Sequence, residues 1–141
     1  MTRQRVSTEH APSPAGHYSQ AIIAHGVLYT AGQTPHHPTT WELVGTTIEE
    51  QTEQAMRNLA AVLESCGSDF SQVVKATVHL QNPARDFAGF NETYQRFVSD
   101  PYPARTTVGS ELGDFLVEID VVALCPEPTN TALIGSSPHP D

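Results

Sequence analysis

The chain has 141 residues, 38% hydrophobic and 16% charged, which fits one globular domain able to bury a core without cross-links. Seven basic against sixteen acidic residues leave a net charge of −9, and the basic ones are scattered rather than striped, which argues against nucleic acid as the main partner. No apolar stretch reaches the length of a membrane span and none follows the opening Met1-Thr2-Arg3-Gln4-Arg5, so neither a membrane anchor nor a secretory signal is expected.

The first 16 residues read as irregular, with a short strand near Arg5-Val6-Ser7. Gln20 to Ala24 and Val27 to Ala31 read as a hairpin across His25-Gly26, a pair suited to a tight two-residue turn. Thr34 to Gly45 is punctuated by Pro35, Pro38 and Gly45 and reads as a loop. Thr47-Ile48-Glu49-Glu50 resembles a capping box. The helix it opens runs to about Ser65, with Ile48, Thr52, Ala55, Leu59, Val62 and Leu63 on one face. Gly67 supplies the stop.

Val73 to Leu80 alternates: Val74, Ala76, Val78 and Leu80 point one way, Lys75, Thr77 and His79 the other. Phe87, Phe90, Tyr94 and Phe97 recur three and four apart and predict a second helix from about Ala84 to Val98. Pro101 and Pro103 end it. Arg105 to Gly109 and Leu116 to Leu124 are the closing strands, the latter with Val117, Ile119, Val121 and Ala123 on one face and Glu118 and Asp120 on the other. The expected fold is α+β: a mixed sheet of about six strands with two helices on one face. The other face must meet water or another subunit. The domain is expected to span 1–125, with a Pro/Ser-rich tail over 126–141.

Cys66 and Cys125 form no spacing motif, and a cytoplasmic protein with reduced thiols is expected. The seven histidines include no HxxxH or HExxH pair, so no metal site is expected. No GxSxG elbow and no phosphate-binding Gly-rich loop occurs.

Six blocks in order resemble the YjgF/Rid family over about residues 5–124. They are Val6 to Pro12 with Gly16 to Ile22, Leu28 to Pro35, Gln51-Thr52 with Asn58-Leu59, Phe87 to Tyr94, Pro103 to Val108, and Val117 to Asp120. The resemblance implies a chorismate-mutase-like fold and a homotrimer with clefts between subunits. It also implies hydrolytic deamination of reactive 2-imino acids or enamines to 2-keto acids and ammonia. No cofactor is implied, because the imine carbon is already electrophilic.

Carried onto this sequence, the resemblance gives Arg105, in Pro-Ala-Arg-Thr, as the clamp on a substrate carboxylate, a task its planar guanidinium suits. It gives Asp120 as the acid that orients the attacking water, where similar proteins usually carry glutamate. Tyr18, Ala31, Gly32, Asn91 and Thr107 match positions lining the family's pocket. Ala31 stands where serine is frequent, Thr107 where cysteine is frequent, and Gly113 where proline is common. These departures keep open a deaminase for a larger, aminomuconate-like enamine. A ribonuclease or translation inhibitor and a non-catalytic metabolite-binding trimer are the readings from other classes.

Overall fold

The computed structural model describes residues 2–126, so the expected tail, apart from Pro126, lies outside the described residues. The elements run β1 (Gln4–Val6), β2 (Ala21–Ala24), β3 (Val27–Thr30), α1 (Ile48–Glu64), β4 (Val73–Leu80), α2 (Pro83–Tyr94), β5 (Ala104–Gly109) and β6 (Val117–Leu124). They form one six-stranded sheet in the order β1-β2-β3-β6-β4-β5. All pairs are antiparallel except β4–β5, so the sheet is mixed, as expected.

Local chemistry explains most boundaries. His25 and Gly26 both take positive φ, 54° and 75°, which turns β2 into β3. The Thr47 hydroxyl accepts from Glu50 N–H, and the Glu50 carboxylate accepts from Thr47 N–H, so the capping box forms as read. Gly67 sits at φ 79° just beyond the end of α1.

The helices lie on one sheet face, with α1 against β6 and beside α2. Leu59, Val62 and Leu63 of α1 meet Leu28, Val78, Val117 and Ile119 of the strands, all fully buried. Burying each such side chain contributes about 1.5–3 kcal/mol. The opposite face carries Tyr29, Lys75, Thr77, His79, Glu118, Asp120 and Val122, none of them buried.

Two expectations need correcting. The register of β4 against β6 shifts between Val73 and Lys75, a bulge that takes Val74 out of the pattern. Val73 therefore joins Ala76, Val78 and Leu80 inside, and Val74 is exposed. The second helix ends at Tyr94, not near Val98. Arg96 N–H and Phe97 N–H bond three residues back, to Thr93 and Tyr94, closing the helix in tight turns. Phe97 still reaches the core, edge-on to Phe70 at 5.8 Å.

Candidate functional site

The residues expected to form the site, Asp120 apart, fall into two groups held by different parts of the sheet. The first surrounds a cavity of about 430 Å³ where β3 runs out beside the start of β6. Tyr18, Ala31 and Gly32 line it, together with Glu118, which was not among the expected residues. Backbone bonds fix this corner: Ala31 N–H donates to Gln20 O at 2.8 Å, and Gln33 and Ile119 exchange bonds at 2.7 and 3.0 Å. That bridge sets Gly32 against Glu118, whose carboxylate fills the space a Cβ at position 32 would need. Glycine is thus required for close approach, not for an unusual φ.

Gln20 is the anchor of the cavity's outer wall. Its buried amide donates to the carbonyls of Thr8, Ala11 and Pro12 and accepts from Thr8 N–H. This clasps the N-terminal stretch against the start of β2 and places Pro12 in the lining. The Tyr18 hydroxyl accepts from Ala15 N–H at 3.0 Å, while its ring stays exposed.

The far wall comes from the loop between β3 and α1. Asn58, buried on α1, donates to the carbonyls of Thr34 and His36 at 2.9 Å each. His37 N–H to Glu42 O and Val44 N–H to Pro35 O, both 2.8 Å, fold the loop back on itself. His36, Trp41 and Phe115 then face the cavity. Burial pushes the His36 pKa below its ordinary value, with Asp114 pulling the other way.

The second group lies two strands away from β6, on the edge strand β5. Arg105 is the register partner of buried Ala76, so its side chain turns toward α2. Its guanidinium donates to Asn91 Oδ1 at 2.8 Å and lies 4.9 Å from the Tyr94 ring centre, 5.4 Å from Phe90 and 5.7 Å from Phe87. Cation–π contact on three sides holds the group without neutralising it. Burial raises the Tyr94 pKa, and the Arg105 charge opposes the rise. Arg57, Arg85 and Arg96 each pair with a carboxylate; among the described residues Arg105 pairs with none. Asn91, Tyr94, Tyr102 and Arg105 border an open cleft of about 390 Å³. Thr107 follows two residues along the same face of β5, opposite Val78, and lines neither cavity.

Asp120 lines neither cavity. It projects from the helix-free face, 3.9 Å from His79 Nε2. Burial raises its pKa, partly offset by the positive charges of His79 and Lys75. Alternation puts Glu118 and Asp120 on one face and cannot choose between them. The contact with Gly32 belongs to Glu118. The aromatic residues around Arg105 and on the loop were legible only as helix periodicity and loop punctuation.

Comparison with known proteins agrees with this architecture. Residues 8–125 match the family described as Endoribonuclease L-PSP. A RutC family protein of Saccharolobus solfataricus is 44% identical over 123 residues, covering 86% of this chain and 97% of that protein. The 2-iminobutanoate/2-iminopropanoate deaminase of Capra hircus is 34% identical over 126 residues, covering 88% and 91%. The crystal structure of RidA from the Antarctic bacterium Psychrobacter sp. superposes with a TM-score of 0.81 at 35% identity, covering 86% of this chain and 98% of that one.

Proposed function

The chain belongs to the Endoribonuclease L-PSP family, which includes the Rid deaminases, and from that footing we propose that it hydrolyses 2-imino acids or their enamine tautomers to 2-keto acids and ammonia. The observation that carries this reading is the division of the site. A held guanidinium, paired with no carboxylate among the described residues, lies on the edge strand β5, and a carboxylate in a cavity lies on the helix-free face at the start of the central strand β6. Each is half of an imine hydrolase.

The halves meet when copies of the chain assemble head to tail. Such a heterologous contact closes into a ring, here a homotrimer of chorismate-mutase-like subunits with the helix-free faces inward. Arg105 of one copy then clamps the substrate carboxylate beside Glu118 of the next. Glu118 takes the role first given to Asp120, because it alone of the two lines the cavity. Asp120 supports it from two residues along the strand.

In the reaction, Glu118 accepts a proton from water as the oxygen adds to the C=N carbon. That proton passes to nitrogen to give the carbinolamine. The carbinolamine hydroxyl then yields its proton, by way of the same carboxylate, to the amine; the C–N bond breaks, C=O forms and ammonia leaves. Tyr18 covers the substrate, and Asn91 keeps the guanidinium aimed. Thr107 and Ala31 shape the walls. No cofactor takes part, and the cytoplasm, where Cys66 and Cys125 stay reduced, is the setting. A ribonuclease reading gains little support, since the net charge is −9 and three arginines are already paired with carboxylates.

The test is mixed assembly. Arg105→Ala and Glu118→Gln chains, each inactive alone, are co-expressed and assayed on 2-iminopropanoate generated in situ. Recovered activity supports a site shared between copies. A mixture as inactive as its parts counts against it, and full activity of Arg105→Ala alone sinks the clamp.

A further inference from the structure

We propose that the cavity beside Glu118 contains a subsite for a flat aromatic group, so that the preferred substrate is a 2-imino acid with an aryl side chain rather than a methyl. The reaction named in this statement rests on the deaminase reading; the subsite rests on three rings. The His36 ring centre lies 5.3 Å from Trp41, tilted by 39°, and 5.3 Å from Phe115, nearly edge-on at 80°. Together they make a continuous aromatic wall on the cavity that Glu118 and Gly32 also line.

Trp41 carries the argument furthest. Its φ is 64°, in the left-handed region, where glycine sits freely and a bulky side chain is an outlier. The loop enforces this placement: Trp41 N–H bonds to His37 O at 3.0 Å, and the His37 ring accepts from the N–H groups of Thr39 and Thr40. A strained residue held by its surroundings points to a use for the side chain. Trp41 does not fill the core, since 37% of the residue stays exposed. Burial lowers the His36 pKa, with Asp114 opposing, and so favours the uncharged ring.

On a single copy the cavity measures about 430 Å³. That volume lies within the ~300–1,000 Å³ common for small-molecule sites. The polar end of the substrate belongs at Glu118 and Gly32, where the chemistry is. The side chain then extends to the aromatic wall, where offset or edge-on stacking favours an aryl group.

Trp41 is the chain's single tryptophan, so its emission reports this subsite directly. The assembled wild-type protein is titrated with 3-phenylpropanoate and, separately, with propanoate. Saturable change with the first at concentrations where the second is silent supports the subsite, whether or not any imine is hydrolysed. No response to 3-phenylpropanoate overturns it, even if 2-iminopropanoate is turned over rapidly. Failure on every imine with a positive titration would instead remove the deaminase reading and leave the aromatic site. The catalytic arm compares kcat/KM for the imines of phenylalanine, leucine and alanine, formed by an amino-acid oxidase. Trp41→Gly suits its φ and should fold, and it should lower the phenylalanine-to-alanine ratio about three- to ten-fold. An unchanged ratio, or a wild-type preference for the leucine imine over the phenylalanine one, overturns aryl selectivity.

Discussion

The carboxylate of Glu118 stands in the space that any side chain at position 32 would have to enter. Gly32→Ala should therefore leave the fold intact, because the end of a flexible glutamate can swing away. It should also displace the proposed acid from its cavity. A misplacement on the scale of 1 Å costs on the order of 10²-fold in rate. Steady-state turnover with 2-iminopropanoate, alongside a melting curve, checks both halves of this expectation.

Arg105 offers several unused donors to an anion while Asn91 takes one. Arg105→Lys keeps the charge but loses the fork, and Arg105→Ala loses both. Loss of a bidentate, charge-assisted pair predicts a fall in kcat/KM of about 10²–10⁴-fold for alanine, with lysine between. If lysine matches wild type, the clamp is a point charge and not a fork.

Burial holds the Asp120 carboxyl above its ordinary pKa, against the pull of His79 and Lys75. The folded chain then binds this proton more tightly than the unfolded chain. Its contribution to stability is present at low pH and is lost as pH rises through the folded pKa. Asp120→Asn removes that loss. Thermal unfolding should find the variant at or above wild type at neutral pH, with the advantage gone below about pH 3.5. A variant melting lower at neutral pH would show that the pairing with His79 and Lys75 outweighs burial.

Asn58 spends its amide on two carbonyls of the loop it supports. Asn58→Ala should cost about 1–3 kcal/mol by leaving those carbonyls without their buried partner. Hydrogen exchange should quicken at His37 and Val44, whose amides close the loop, before it quickens within α1.

What could be read from the sequence followed how local its cause was. The capping box at Thr47 and the His25-Gly26 turn depend on a few adjacent residues, and both are present in the fold. The exposed Val74 depends on how β4 meets β6, more than 40 positions later in the chain, and alternation along one strand cannot see a register shift. The site divided along the same line. Its residue types were legible, Arg105 and Gly32 among them. That Arg105 faces α2 on an edge strand, while Glu118 and not Asp120 meets Gly32, depends on strand order. Trp41 gave only a loop, because the loop that carries it is held at Thr34 and His36 by Asn58, on a helix that follows it.

The Gln20 clasp means that the cavity is only as intact as the segment preceding β2. Clipping by a protease between Pro12 and Tyr18 would cut the covalent path from the clasped stretch to Tyr18. It would leave the helices and the five strands other than β1 folded. The protein would then be silenced without being denatured, and a circular dichroism spectrum would scarcely register the damage.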